Sequence, residues 1–237
     1  MASPYFTVLD IVNEVCDRMN VRRVTATTAN LFTRNCVNLI NDLMDDLTDF
    51  GQWNELQSSA SFALVCGQPI YSVATSALPA SKQYIHSIQE VSISGRVPPL
   101  EPIADKNEWR MLNRVNSQGQ PSRYMIEGVD AIGNPRVAVF PRPSTNYAGN
   151  TAYVKFQVLA PKYVPGTDDA VTVMFPARVV VAGLHALAIL DEAGGAETQQ
   201  YRAAQVRYLA LRNNSLARQT AKTGEFTRFQ PGLTSRS

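Results

Sequence analysis

Histidine and cysteine are scarce in this sequence, and their scarcity limits the chemistry that the chain can perform. The 237 residues include two histidines and three cysteines, with no CxxC pair and no cluster of the two residue types. Zinc sites and thiol redox centres are built from such clusters. We therefore interpret the cysteines as small core residues in a reducing compartment; they are Cys16, Cys36 and Cys66.

Motifs that bind phosphate or carry hydrolytic chemistry are also missing. The chain has no Walker-type loop, no GxGxxG after a strand, no GxSxG elbow and no HExxH. His185 lies in an apolar run, where a hydrogen-bonded core histidine is expected, and His86 is expected to point outward from a strand. We expect neither a cofactor nor enzymatic activity. The alternative is a cell-wall hydrolase that uses a pair of carboxylates, drawn from Glu90, Glu101, Glu108 and Glu127.

Long apolar runs are limited to one segment, FPARVVVAGLHALAIL at residues 175–190. Its proline favours the start of a helix. The run is shorter than the roughly 20 residues that cross a bilayer, so it predicts a buried helix covered on several sides. The N-terminal sequence MASPYFTVLDIV lacks a basic region followed by an uninterrupted apolar run. We therefore expect no signal peptide and no contact with a membrane.

Helical periodicity is strongest near the two ends of the chain. Residues 5–19 predict an amphipathic helix with Thr7 as its N-cap, and residues 28–50 predict a longer helix. Residues 196–220 predict the last helix, with its arginines distributed around it. Residues 105–116 predict a shorter helix in the middle of the chain. Asp105 is its expected cap, and its expected apolar side contains Trp109, Met111, Leu112 and Val115.

Short alternating runs occupy the middle of the chain and predict strands. Residues 59–65 and 69–73, joined by 66–68, predict a hairpin. Five to seven such strands separated by turn residues are typical of a sandwich or a partly open barrel. The further predicted strands are residues 84–93, 124–126, 136–140 and 151–159.

These patterns predict an α+β fold in which both ends of the chain build one domain. Residues 1–52 and 174–222 are expected to form a helical domain, because the apolar helix needs covering partners from both ends. Residues 53–173 are expected to form an inserted antiparallel β-sandwich or barrel-like domain. Residues 223–237 are expected to form an extended C-terminal tail, which is too polar to build a core of its own.

Charge is divided unevenly between the two ends. Residues 1–55 contain four basic and eight acidic side chains, whereas residues 196–237 contain seven basic and two acidic ones. Opposite charges favour contact between these ends, within one chain or between neighbouring copies. No histidine, cysteine or glycine-rich loop accompanies the aspartates, so they indicate a helix edge rather than a metal site. The candidate residues for contacts between subunits are Asp42, Asp45, Asp46, Asp49, Arg202, Arg207, Arg212 and Arg218.

The order of several segments resembles that of head-to-tail adaptor (connector) proteins of short-tailed bacteriophages. The resemblance rests on WNEL at residues 53–56, FALVCGQPIY at 62–71 and IQEVSISG at 88–95. The later segments WRML, QGQPSRY and FPRP, at residues 109–112, 118–124 and 140–143, also fit. The resemblance covers most of the chain.

This resemblance implies a structural protein of the virion, located at the head-tail junction and assembled in the bacterial cytoplasm. It implies a dodecameric ring of identical subunits that binds the portal protein and the tail nozzle protein. Such a ring extends the DNA channel and makes transient, non-specific contact with genomic DNA. The resemblance also implies docking to the portal through the C-terminal tail, whose candidate residues are Phe226, Arg228, Phe229 and Leu233.

A nucleic-acid-binding module is the alternative from a different functional class. It is motivated by the arginines of the last predicted helix. A DNA-binding protein usually concentrates positive charge on one face, whereas these arginines are spread around the helix. Salt-dependent retention of duplex DNA by the isolated protein would favour this alternative.

Overall fold

A computed structural model describes residues 6–74, 85–131 and 133–223. These residues form two compact units. The first unit consists of the described residues of Met1–Glu55 and Lys162–Ser237, and the second is Leu56–Pro161. The α+β fold class predicted from the sequence is confirmed. The predicted domains, with limits at residues 52 and 174, stay a prediction, as does closure of the strands into a sandwich or barrel.

The predicted helices and strands are present in the expected order, together with three two-residue strands that were not predicted. The helices are α1 (Val8–Arg18), α2 (Leu31–Phe50), α3 (Lys106–Arg114), α4 (Ala177–Glu192) and α5 (Gln199–Thr223). The strands are β1 (Gln57–Ala63), β2 (Ile70–Ser72), β3 (Ile85–Ile93), β4 (Glu101–Pro102), β5 (Gln118–Gly119), β6 (Arg123–Val129), β7 (Pro135–Phe140), β8 (Arg142–Pro143) and β9 (Thr151–Val158).

Helix α1 begins at the cap that its sequence predicts. The hydroxyl of Thr7 accepts a hydrogen bond from the backbone N–H of Asp10 at 3.2 Å. The carboxylate of Asp10 in turn accepts one from the N–H of Thr7 at 3.1 Å. This reciprocal capping box satisfies two backbone donors that the helix itself cannot pair. The backbone N–H of Val8 also donates to the carbonyl of Val171 at 3.0 Å, which joins the start of α1 to the segment before α4.

Helix α4 is the centre of the first unit and packs against α1, α2 and α5. The buried helix predicted at residues 175–190 is therefore confirmed, and Leu184 is fully buried. The expectation that other helices cover it on several sides is confirmed, and part of its surface stays open. Four of its residues are only half-buried, because the neighbouring helices leave part of its surface uncovered: His185, Leu187, Ile189 and Leu190.

Trp53 packs against Phe175, which lies just before the start of α4. Its ring meets that of Phe175 edge to face, with ring centroids 5.3 Å apart. Both side chains are fully buried. The indole Nε1–H donates to the carbonyl of Leu47 at 2.7 Å, which satisfies the one polar atom of this buried ring.

The described residues of the second unit form three sheets. One has the order β1-β9-β3, the second has the order β2-β7-β6-β4, and the third pairs β5 with β8. Both β4 with β6 and β5 with β8 are parallel pairs, which alternation along a strand does not predict. Strand β9 is the central strand of the first sheet, where Val154 and Phe156 are fully buried.

The predicted hairpin at residues 59–73 is wrong. Strand β1 pairs with β9, and β2 pairs with β7, so the two neighbours along the chain belong to different sheets. The phenol of Tyr71 holds the connecting loop, because it donates to the carbonyl of Gln68 at 2.8 Å and accepts from the N–H of Val65 at 3.0 Å. The ring of Phe62 stacks on that of Tyr71 with centroids 4.5 Å apart. Ring stacking and the hydrogen bonds of the Tyr71 phenol therefore join these segments, although β1 and β2 do not pair with each other.

The cysteines divide into two environments. Cys16 and Cys36 are buried, as predicted, whereas Cys66 is exposed in the turn before β2. The interpretation of Cys66 as a core residue is therefore wrong, because that turn lies at the surface between strands of two different sheets. His86 is exposed on β3, as expected.

Candidate interaction surfaces

An exposed acidic edge runs along α2. The buried seam of this helix includes Ile40, Leu43 and Leu47, which turns the acidic residues outward. All four aspartates predicted to make contacts are exposed: Asp42, Asp45, Asp46 and Asp49.

Asp45 has a partner within its own subunit. It forms an ion pair with Lys162, which is on the segment that returns from the second unit. The ammonium of Lys162 also donates to the carbonyl of Asn41 at 2.9 Å. Asn41 accepts from the N–H of Tyr163 at 2.8 Å through its side-chain oxygen. This part of the acidic edge therefore holds the returning chain in place.

The arginines of α5 occupy different environments. Arg202 is exposed and forms an ion pair with Glu197, with 3.5 Å between Nε and the carboxylate. Arg212 is half-buried, and its guanidinium carbon lies 3.4 Å from the centroid of the Phe50 ring at the end of α2. Arg207 and Arg218 are exposed. Arg212 therefore packs within one subunit, whereas the exposed arginines are accessible to a partner.

The structure brings the aspartates of α2 and the arginines of α5 close at one point. Burial raises the pKa of Tyr208 on α5, Arg212 opposes that shift, and the negative charge of Asp46 adds to it. Both charged groups therefore act on the same phenol. Asp45 itself pairs with Lys162 rather than with an arginine of α5.

A groove in the first unit lies between the end of α1, the end of α4 and the start of α5. It encloses about 750 Å³, and its walls include Arg18, His185, Glu192 and Arg207. Burial, and then the positive charges of Arg18 and Arg207, lowers the pKa of His185. The imidazole is therefore largely neutral at pH 7. His185 was expected in the core, but it is half-buried and forms part of a groove wall.

Helix α3 has a surface that the sequence interpretation missed. Lys106, Arg110 and Arg114 are exposed at spacings of four residues, so they lie along one side of the helix. Beside them, Met111 and Val115 are each 69% exposed. We refer to these five residues as the α3 face.

The α3 face corrects the predicted apolar side of this helix. Trp109 is buried and packs with Met125 and Ala138 of the neighbouring strands, and Leu112 packs against the same cluster. Met111 and Val115 were expected on that packed side but point away from it, because the helix contacts the sheet along one narrow stripe. The cations at i, i+4 and i+8 were visible in the sequence and could have identified this face.

A groove of about 540 Å³ separates the basic side of α3 from β6. Trp109 and Met125 are among the side chains at its base, and Glu127 lies on its wall. One carboxylate oxygen of Glu127 is buried and has no hydrogen-bond partner among the described residues. The groove therefore combines three cations with one carboxylate.

The carboxylates considered for hydrolysis are mostly engaged in ion pairs. Arg123 pairs with both Glu101 and Glu108, and its Nε lies 3.6 Å from the carboxylate of Glu101. Glu90 pairs with Lys155 across β3 and β9 at 3.4 Å. These three carboxylates therefore neutralise neighbouring cations.

The described residues offer neither a metal-binding cluster nor a membrane-spanning helix. No group of three or more histidine, cysteine, aspartate or glutamate side chains in residues 6–74, 85–131 and 133–223 is arranged to hold a metal ion. No helix in this part of the chain is long and apolar enough to span a membrane. The predicted docking residues of the tail lie outside the described residues: Phe226, Arg228, Phe229 and Leu233.

Comparison with known proteins gives a match over nearly the whole chain. The family model described as SU10 adaptor protein matches residues 6–233, which include both units. A search of curated proteins finds none that matches this chain.

Proposed function

The chain belongs to the SU10 adaptor protein family, and we propose that it forms a ring that joins the portal to the tail nozzle. As a phage adaptor it is a structural component of the virion that interacts with portal and tail components. We further propose that the ring is dodecameric, lies at the head-tail junction and extends the DNA channel. The protein acts in this position without catalysis.

The extent of the family match carries this proposal. The match begins at residue 6, just before α1, and continues to residue 233, beyond the end of α5. It therefore includes the helices from both ends of the chain and the β-rich unit between them. Agreement over all of these elements supports a whole-chain role in the virion rather than a shared fragment.

Contacts between subunits are proposed for the charged helix edges of the first unit. In a ring, each subunit uses two different surfaces, one for each neighbour. Asp42 on α2 and Arg207 and Arg218 on α5 are exposed and suit such a heterologous contact. Asp45, Arg202 and Arg212 contribute less, because each already contacts a residue of its own subunit. The complete proposed set still includes Asp46, Asp49 and Arg202.

Docking to the portal is proposed for the C-terminal tail. Phe226 and Phe229 are three residues apart, with Arg228 between them and Leu233 further along. Aromatic side chains are strong anchors when a partner buries them completely. Because these anchors would be buried only on the portal, assembly would wait for the portal, and the free protein would remain monomeric.

The contact with DNA is proposed to be weak and independent of sequence. Phosphate contacts would make binding strong and salt-dependent, which a channel that lets DNA slide does not need. The arginines of α5 do not form one basic face, because Arg202 pairs with Glu197 and Arg212 packs on Phe50. These contacts favour the adaptor over the DNA-binding alternative.

Electron microscopy of the purified protein mixed with its portal tests the proposal. We expect rings of identical subunits stacked coaxially on the portal, and side views that lengthen by one layer. The protein without portal serves as the control for spontaneous assembly. Absence of any ring on the portal, together with salt-dependent retention of bare duplex DNA, would contradict the adaptor function and support the nucleic-acid-binding alternative.

A further inference from the structure

The α3 face is an exposed surface that the contacts proposed above leave unused. The proposed subunit and portal contacts involve residues of the first unit and the C-terminal tail, whereas α3 belongs to the second unit. We propose that the α3 face docks a tail-side protein whose surface carries carboxylates beside apolar side chains. This inference rests on the proposed function, because it assigns a surface to the tail-side partner of the adaptor.

The basic side of the face is arranged in a regular row. Residues four apart on a helix are separated by about 6 Å along the axis, so Lys106, Arg110 and Arg114 form a row about 12 Å long. Among the ion pairs of the described residues, none involves any of the three. By contrast, Arg123 of the same unit has two carboxylate partners. The row therefore suits carboxylates from outside the chain.

The helix holds this row in a fixed position. Trp109 is 4% exposed and belongs to a buried cluster with Ile103, Met125 and Ala138. The carboxylate of Asp105 caps the helix by accepting from the N–H of Asn107 at 2.8 Å. A surface built on an anchored helix loses little conformational freedom when a partner binds.

The apolar pair indicates that the partner is a protein. Met111 and Val115 lie one turn apart, and both are largely exposed beside the basic row. Apolar groups at the centre of an interface contribute through burial, while charges at its rim set orientation and the rate of association. A phosphate backbone would leave this apolar pair in water.

Acidic groups around α3 also disfavour nucleic acid as the occupant. Glu127 is on the wall of the groove beside the basic row. Glu108 is on α3 itself, although it is paired with Arg123. A polyanion that covered the helix would lie close to these carboxylates, whereas a protein can place its own acidic groups selectively.

The test uses rings assembled on the portal and the purified tail nozzle protein encoded by the same phage. The charge-reversal variant K106E/R110E/R114E should assemble normally but bind the nozzle about 10- to 100-fold more weakly, because opposed charges become like charges. The matched variant K106R/R110K/R114K retains every positive charge and should bind nearly as wild type. A second variant, M111S/V115S, should also bind more weakly, with an unchanged dependence on salt.

Three results would overturn the inference. The first is nozzle binding by the charge-reversal variant that equals wild type. The second is failure of that variant to form rings although it melts as wild type, which would assign the face to contact between copies. The third is salt-dependent retention of duplex DNA by the wild type that the charge-reversal variant loses, which would assign the face to phosphate. If the wild-type protein forms no ring on the portal, the proposed function is rejected. If wild-type rings form but substitutions in the α3 face do not change nozzle binding, only this inference is rejected.

Discussion

Gly183 on α4 lies directly against the side chain of Leu43 on α2. A Cβ atom at residue 183 would be 2.8 Å from both methyl carbons of Leu43 and 3.0 Å from Cε2 of Tyr208 on α5. Leu43 is 1% exposed, so its methyl groups can move only by displacing packed neighbours. The close approach of three helices therefore depends on the absence of a side chain at this position.

Gly183→Ala should destabilise the protein in spite of the higher helix propensity of alanine. Overpacking costs about 1–3 kcal/mol, and the propensity gain offsets at most about 1 kcal/mol of that. Urea denaturation measures the change. The control places Gly183→Ala in a Leu43→Ala background, where the missing methyl groups leave room and the substitution should be neutral or stabilising. Stabilisation of the wild-type background by about 1 kcal/mol would show that the helices are not in close contact there.

Thiol reactivity should distinguish the exposed cysteine from the two buried ones. Burial raises the pKa of Cys36 to about 12, and it also raises the pKa of Cys16, with a further contribution from the charge of Asp17. Because the thiolate is the reactive form, we expect one reactive thiol per folded chain at pH 8, measured with a chromogenic disulfide reagent. Cys66→Ser should abolish this reaction in the folded protein. Labelling of that variant without denaturant would place Cys16 or Cys36 outside the core.

The helices of the first unit were predictable because local sequence determines their ends. Thr7 caps α1 as expected, and Asp10 completes a capping box with it. Helix α2 was predicted from residue 28, but it begins at Leu31 because the side chain of Asn30 accepts from the N–H of Thr33 at 2.9 Å. Such caps are contacts between residues three apart, so a sequence pattern contains the information needed to find them.

Strand partners and the packed side of α3 were not predictable in the same way. Gln57 of β1 pairs with Gln157 of β9, and the choice of that partner depends on how two distant segments bury their side chains together. The sequence shows the basic row on α3, but whether Met111 or Trp109 faces the core depends on the position of the helix on the sheet. The tail and the charged contacts of the ring involve partners outside the chain and therefore stay predictions.

Asp169 should give the folded protein an acid-sensitive contribution to stability. Its carboxylate accepts from the N–H and hydroxyl of Thr27 and from the N–H of Gly166. Burial alone would raise the pKa of Asp169, but these hydrogen bonds outweigh it and lower the pKa. A group whose pKa is lower in the folded state stabilises that state above its unfolded pKa, near 3.9, and loses the effect as pH falls through its folded pKa.

Asp169→Asn should therefore lower the free energy of unfolding by about 1.5–3 kcal/mol at pH 7, the range for hydrogen bonds to a charged group. The difference from wild type should narrow between about pH 5 and pH 2. Denaturation in urea at a series of pH values measures both effects. Asp42→Asn removes one exposed negative charge and serves as the control. A difference that stayed constant down to pH 2 would rule out a contribution from ionisation of Asp169.

Arg212 should contribute to folding through its contact with Phe50. Its guanidinium carbon lies 3.4 Å from the ring centroid, and its Nε is buried. A cation over an aromatic face contributes about 0.5–2 kcal/mol. Arg212→Ala should therefore lower the free energy of unfolding by at least that amount. Arg212→Lys should lower it by a smaller amount, because lysine keeps the charge but cannot stack on the ring.

Arg218→Ala is the matched control for Arg212, since it changes an exposed arginine of the same helix. Its effect should be within about 0.5 kcal/mol of wild type. Thermal melting of the three variants, combined with a double-mutant cycle to Phe50→Leu, separates stacking from loss of charge. Equal melting of the Arg212→Ala and Arg218→Ala variants would leave Arg212 as a candidate for contact between subunits instead.

The last prediction concerns the C-terminal tail, where Phe226 and Phe229 are the proposed anchors for the portal. Burial of an aromatic side chain contributes about 1.5–3 kcal/mol, so changing both to Ala should weaken portal binding by at least about 100-fold. The subunit should still melt at the wild-type temperature, because α4 packs in the core against α1, α2 and α5. Light scattering or sedimentation with purified portal measures the affinity. Thr227→Ala, between the two aromatic residues, is the control and should bind normally.

Removal of residues 224–237 should have at least the effect of the double substitution. If the truncated chain assembled on the portal with unchanged affinity, the tail would be rejected as the docking element, and the exposed charges of α2 and α5 would become the next surfaces to change.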